Sequence, residues 1–303
     1  NVVVQRPGGD LTLVNGFEYF DPPAVNGVTP NMGPVAGGAP VTITGEDLTG
    51  ATSVTFGGTP TTGFAVVNDT TITCMTPTHG AGFVNVVVTT PWGTGTLSNG
   101  YRYVSPPGIT TVSPALGKVA GGTPVTITGT NFIGVADVTF GGIPADAVVV
   151  WNPVTITCVT PPHAAGLVDV AVTAAGGTGI LPAGYRYVPL PTVTGVSPDY
   201  GPITGGTPVT ITGTEFYGVT SVTFAGMAAS AVAAADATSI TCETPSHPLG
   251  TVDVAVTNVA GTGTGEGLFT YSPTWTGGVA GDARVSTPGN WASNVAPATG
   301  ANL

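Results

Sequence analysis

Apolar and polar residues alternate along most of this chain with a period of two, in short runs. In Val41-Thr42-Ile43-Thr44 the valine and isoleucine point one way and the threonines the other. Val54 and Phe56 share a face, as do Ile72 and Cys74, and as do Val84, Val86 and Val88. This alternation predicts strands with one buried face, and Val and Thr suit a pleated, half-buried surface. No segment has apolar residues at helical spacing, and Gly and Pro interrupt the chain too often for long helices. About seven short strands are expected in one stretch, near 26–30, 39–45, 51–57, 62–67, 70–76, 82–90 and 95–104. Seven short strands with turns between them imply two antiparallel sheets packed face to face. Gly37-Gly38, Gly57-Gly58 and Gly93 mark turns or bulges that need positive φ. Pro77 stops the strand that carries Cys74, because proline cannot donate to a ladder.

The same pattern then recurs. Cys74, Cys158 and Cys242 stand 84 residues apart, and His79, His163, His247 and Phe56, Phe140, Phe224 keep the same step. Tyr19, Tyr103, Tyr187 and Tyr271 keep it four times. Residues 39–45 read APVTITG, and residues 123–129 and 207–213 both read TPVTITG. So regular a period means an array of copies of one domain. Run backwards, it sets Val2 and Val4 on Val86 and Val88, and Phe17 on Tyr101. Residues 1–20 are therefore expected to hold only the last two strands of a further copy, roughly Asn1 to Val4 and Leu11 to Phe20. Val2, Val4, Phe17 and Tyr19 would face inward there. A lone hairpin is marginal in water, so the front half of that copy, or strands of another chain, would have to cover them. The expected divisions are 1–21 for this strand pair, three domains at 22–105, 106–189 and 190–272, and a tail at 273–303.

The runs that carry the repeat resemble a known module. V-T-P-N-M-G-P-V-A-G-G-A-P-V-T-I-T-G at 28–45 and G-V-S-P-D-Y-G-P-I-T-G-G-T-P-V-T-I-T-G at 195–213 are similar to the opening of an IPT/TIG domain. So are G-T-N-F at 129–132 and C-x-T-P-x-H at 74–79. The resemblance covers about residues 1–271. It implies an all-β chain of tandem immunoglobulin-like sandwiches, of the E-set type, in an extended array. The module occurs in receptors, transcription factors and bacterial surface proteins, and by itself it implies no function. In the tail, Trp275-Thr276-Gly277-Gly278, Pro288-Gly289-Asn290-Trp291 and Val295-Ala296-Pro297 resemble the start of the W-x-G-G and N-W repeats of bacterial autotransporter-like passenger proteins. The alternative there is an irregular loop that caps the last sandwich.

Charge narrows the partners. Only 7% of residues are charged, with one lysine, Lys118, four arginines and a net charge of −11. An acidic surface so poor in Lys and Arg argues against nucleic acid and against anionic membranes. No apolar run of about 18 residues is present to span a bilayer. With one cysteine per domain no disulfide can form within a domain, and equivalent cysteines a domain apart cannot easily meet.

Candidate chemistry adds little. His79, His163 and His247 each follow a T-P-x turn, but the nearest cysteine faces inward and no acid recurs beside them, so a triad is not expected. A histidine that stabilises its turn is expected instead. One Cys and one His per domain fall short of a zinc site, and the cysteine is expected to serve as a small buried hydrophobe. For calcium, Glu46-Asp47 is replaced by Thr130-Asn131 and Thr214-Glu215, and Asp169 and Asp253 recur alone. No catalytic residue, metal or cofactor is expected.

Two features remain. Trp92 and Trp151 fall in expected loops and break the period, since Gly176 and Ala260 stand opposite the first and Val67 and Ala235 opposite the second. With Tyr217 they are the candidates for a ligand-contact patch. The linkers read V-S-P-P-G at 104–108 and V-P-L-P at 188–191. Their prolines Pro106, Pro107, Pro189 and Pro191 restrict the joints to extended geometry. An invariant step with stiff joints gives a quasi-one-dimensional rod. The expected function is structural: a non-catalytic stalk or filament segment of a long extracellular or cell-surface protein, bacterial on the resemblance. Its partners would be neighbouring domains or further copies of the protein. Two alternatives are an adhesin that binds a glycan or host protein through loops, and an accessory region of a secreted polysaccharide-active enzyme.

Overall fold

A computed structural model describes residues 2–14 and 20–273 of the chain. Every regular element among the described residues is a strand. The first two are β1 (Val2–Val4) and β2 (Leu11–Leu13). The first complete domain follows with β3 (Ala24–Thr29), β4 (Met32–Pro34), β5 (Pro40–Glu46), β6 (Ser53–Phe56), β7 (Thr59–Pro60), β8 (Phe64–Asn68), β9 (Thr71–Met75), β10 (Gly82–Thr90) and β11 (Gly93–Val104). One sheet runs β3-β5-β9-β8 and the other β4-β11-β10-β6-β7. The domains at Gly108–Val188 and Thr192–Ser272 repeat both sheets strand for strand. Each is an immunoglobulin-like sandwich.

Nine strands stand where seven were expected. The two additions, β4 and β7, are three and two residues long, too short to show alternation. β4 forms because the chain leaves β3 at Thr29, crosses to the second sheet, and pairs parallel with β11 through Met32↔Arg102, Gly33↔Tyr103 and Pro34↔Val104. Trp151 is a further correction. It lies in the edge strand Asp146–Asn152 rather than in a loop, and all seven residues of that strand are exposed, so burial imposes no period on them.

The core lies between the sheets and follows the alternation. Ile43, Phe56, Ile72, Val86 and Val88 are fully buried, as are their equivalents in the other domains. Each contributes about 1.5–3 kcal/mol by leaving water. Cys74, Cys158 and Cys242 are free and buried on this inner face. β10 and β11 shift register between Val84 and Val86. The side chain that the shift turns outward, Asn85, accepts a hydrogen bond from the Asn99 amide at 2.9 Å. Asp169 and Asp253 accept in the same way from Ala183 and Gly267, both at 2.8 Å. The recurring acids therefore hold turn residues with φ of 49° to 61°.

β1 and β2 pair through Val2↔Leu13 and Val4↔Leu11, one period before Val86↔Leu97 and Val88↔Gly95. Val2 and Val4 are 38% and 52% exposed, however, where Val86 and Val88 are 0%. Asn1, Phe17, Tyr19 and the tail motifs from Trp275 to Pro297 lie outside the described residues.

Candidate functional site

The histidines take a structural position. His79 stacks on Tyr103 at 5.1 Å between centroids. Its Nδ1 lies 2.8 Å from the Gly80 carbonyl, which can only accept, so that nitrogen carries the proton. The Tyr103 hydroxyl donates to the Pro77 carbonyl at 2.8 Å. The trio recurs as His163, Tyr187 and Pro161, and as His247, Tyr271 and Pro245. The imidazole thus pins the turn that follows β9 to the last strand. Among the described residues no three His, Cys, Asp or Glu side chains cluster as metal ligands would.

The repeating inter-domain chemistry lies at the two joints. In the first linker Val104 and Pro107 are buried, Ser105 is half-buried and Pro106 is exposed. In the second, Val188 and Pro191 are buried, Pro189 is half-buried and Leu190 is exposed. One proline of each linker is therefore packed, and the other faces water at least in part.

Next to each linker, a side chain of one domain rests on a glycine of the next. A Cβ added at Gly134 would come within 3.2 Å of Met32 Sδ, and one at Gly218 within 3.1 Å of Leu116 Cδ1. Leu116 stands one period after Met32, and Gly218 one period after Gly134. These glycines have φ of 61° and 60°, so a left-handed turn and a close approach both demand them. Met32 and Leu116 act as knobs, and the glycine turns as their seats.

Polar groups fasten the joints. Asn131 Nδ2 donates to the Pro106 carbonyl at 3.1 Å. In the second joint Asn258, only 4% exposed, takes over. Its Nδ2 donates to the carbonyls of Pro189 at 3.1 Å and Glu215 at 3.0 Å. Its Oδ1 accepts from the amides of Ala260 at 2.8 Å and Gly261 at 3.2 Å. A Cβ on Gly176, in the first joint, would run into the Ser105 carbonyl, whereas its counterpart in the second joint is Ala260.

The arginines beside the knobs choose different partners. Arg102 lies 5.2 Å from the ring centroid of Phe83, in its own domain. A cleft of about 230 Å³ then remains at the first joint, lined by Phe83, Arg102, Ser105, Asn131 and Ile133 among others. Arg186 instead reaches across the second joint and sits 4.2 Å over Tyr217, which occupies the position of Ile133.

The three aromatic candidates therefore occupy three different settings. Tyr217 is a joint residue under Arg186. Trp92 stacks on Phe20 at 4.4 Å, and a Cβ at Gly50 would lie 3.1 Å from it. Gly50 is the first domain's counterpart of Gly134 and Gly218, so Trp92 fills a seat that a preceding knob fills elsewhere. Trp151 stays 68% exposed, with Nε1 donating to Thr157 Oγ1 at 2.9 Å. Met32, Leu116, Gly176, Arg186 and Asn258 lie at the joints beyond the candidates that the sequence offers. For Asn258 and Gly176 the available signal was a break in the period, at Thr90/Ala174/Asn258 and Trp92/Gly176/Ala260.

A family model described as IPT/TIG domain matches residues 23–104, 107–188 and 191–271. Fibrocystin-L of Homo sapiens is 32% identical over 207 residues, 66% of this chain and 5% of that protein. Plexin-A2 of Mus musculus is 32% identical over 150 residues, 47% of this chain and 8% of that protein. Among solved structures, the full extracellular region of Plexin A4 is 28% identical with a TM-score of 0.41, over 75% of this chain and 21% of that one. The chain thus spans less than a tenth of the length of these two curated relatives.

Proposed function

The chain belongs to the IPT/TIG family, and from that premise we propose that its three domains form a non-catalytic structural segment, a stalk in a long extracellular or cell-surface protein. The observation that carries this reading is the recurrence of the joint: Met32 on the Gly134 turn, then Leu116 on the Gly218 turn. Each sandwich buries its own core, so the joints have only to set direction. Linkers with a packed proline, Pro107 or Pro191, and a less buried one, Pro106 or Pro189, suit that task. The extracellular setting rests on composition, a surface built from Thr, Ser and Asn with 7% charged residues. The reading is tested by small-angle scattering of the whole chain, which should give a rod. A compact profile would refute it. Replacing Pro106 and Pro107 with glycine should broaden the distance distribution while the domains stay folded.

A second reading, contact with a glycan or surface protein, keeps one residue. Trp92 and Tyr217 are engaged within the chain, and the exposed indole of Trp151 is the remaining platform. Titration with neutral oligosaccharides, following Trp emission in the native chain and in Trp151→Ala, tests it. Saturable quenching lost in the variant supports the reading, and a flat titration removes it.

A further inference from the structure

The cleft of about 230 Å³ at the first joint draws its walls from two domains. Phe83 and Arg102 come from the first domain, Asn131 and Ile133 from the second, and Ser105 from the linker. The described residues that line it include one cation, Arg102, and no acid. The chain has 16 acidic residues against 5 Lys and Arg, so this lining runs against its composition. The second joint serves as an internal control, one period on. There Leu167 replaces Phe83, Pro189 replaces Ser105, Glu215 replaces Asn131 and Tyr217 replaces Ile133, while Arg186 keeps the cation. Tyr217 lies under Arg186 at 4.2 Å, whereas isoleucine offers Arg102 no ring to reach. Glu215 balances the charge of its set, and neutral Asn131 leaves the first set positive. Ser105 brings a hydroxyl where Pro189 has none. Asn131 and Glu215 share a left-handed backbone, with φ of 57° and 60°, so these two positions differ in their side chains alone.

We propose that this cleft binds a terminal uronic acid, a sugar unit whose one carboxylate sits on Arg102. A planar guanidinium matches a carboxylate with two parallel hydrogen bonds. Asn131 spends one Nδ2 hydrogen on the Pro106 carbonyl and keeps the other for the ligand, and the Ser105 hydroxyl is a further donor. A single cation balances a carboxylate better than a phosphate, which carries close to two charges. The exposed Phe83 ring and Ile133 supply an apolar wall for the C–H face of the sugar. Sites for larger ligands run from about 300 to 1,000 Å³, so this cleft takes one sugar unit and not a longer stretch. Because its walls belong to two domains, the occupant also holds the first joint at one angle, as Arg186 on Tyr217 holds the second. The inference goes beyond the stalk reading and stands apart from Trp151, which lies in an edge strand.

The test is titration of the whole chain with D-glucuronate, read by calorimetry and by saturation transfer to the sugar protons, with D-glucose, acetate and inorganic phosphate alongside. Glucuronate should saturate with a Kd on the order of 1 mM, acetate and phosphate should bind at least about tenfold more weakly, and glucose not at all. Arg102→Gln should weaken glucuronate at least about tenfold, and Arg102→Lys by an intermediate factor, since an ammonium lacks the fork. Two exchanges bring in the residues of the second joint. Asn131→Glu loosens the linker by losing its bond to Pro106, and Ile133→Tyr tightens the joint while filling the cleft. Both should abolish glucuronate binding, so altered stiffness cannot be mistaken for a lost site. Slow thiol labelling in every variant shows that the domains stay folded. Absence of saturable binding in the native chain would overturn the proposal. So would binding that survives Arg102→Gln, or that is as tight for acetate or phosphate. Scattering without sugar reads the rod by itself, so failure here is distinct from failure of the stalk.

Discussion

At the first joint one side-chain hydrogen bond, from Asn131 to the Pro106 carbonyl, ties the linker, and Arg102 stays over Phe83 of its own domain. At the second, buried Asn258 makes four hydrogen bonds and Arg186 reaches over Tyr217 of the next domain. Knob, glycine seat and linker position are shared. The shared parts set the spacing of domains, and the parts that differ set how firmly neighbours are held. On this physics the second joint is the stiffer of the two.

The largest separation between the joints should come from their asparagines. Asn258→Ala leaves two carbonyls and two amides without their partner, and should cost about 2–3 kcal/mol in the third domain. Asn131→Ala should cost about 0.5–1 kcal/mol. Denaturant titration of the two variants checks this, and equal losses would break the contrast.

Next comes the close approach of the linker. Gly176→Ala forces the Ser105 carbonyl to move and should cost about 1–2 kcal/mol. The reciprocal change Ala260→Gly, at a joint that already accommodates the methyl, should stay below about 1 kcal/mol. Calorimetry of the pair measures the difference.

A smaller effect belongs to the arginines. A double-mutant cycle on Arg186 and Tyr217 should return about 0.5–1 kcal/mol of coupling between domains, and one on Arg102 and Ile133 close to none. Ile133→Tyr should then give the first joint a clamp of its own, seen as a narrower distance distribution in scattering.

Within the domains no contrast between joints should appear. Burial raises Cys74 and Cys242 from the ordinary 9.0 to about 11, and Cys158 to about 12. The folded values lie above the unfolded one, so the stability these protonated thiols supply is complete below pH 9.0 and is lost as pH rises through about 11 to about 12. At pH 8 thiol labelling should be slow in the native chain and in every joint variant, and fast in denaturant. A joint variant that labels quickly has unfolded a domain, not merely loosened a hinge.

Much of the fold is written in the period-two runs, because a buried face forces every second residue of Val41–Ile43 or Ile72–Cys74 to be apolar. β4 and β7 escaped because two or three residues show no period, and Trp151 because nothing on an exposed edge has to alternate. The linker runs V-S-P-P-G and V-P-L-P were legible as such. Asn258 and Arg186 were not, because each acts on a carbonyl or ring far away in the sequence. Tyr217, at the period position of Ile133, lies under Arg186, so a break in a repeat can fall where two copies touch.

The parallel pairing of β4 with β11 has a mechanical consequence. The chain enters each domain ahead of β4 and leaves it at the end of β11, and Met32, Gly33 and Pro34 stand beside Arg102, Tyr103 and Val104. Tension on the two termini drags these parallel strands in opposite directions along their length. Once β3 has parted from β5, the load falls across the β4–β11 hydrogen bonds in shear, shared by the whole patch at once, and cannot open them one after another like a zip. Equivalent patches at Leu116–Lys118 and Tyr200–Pro202 give every domain in the row the same latch against stretching.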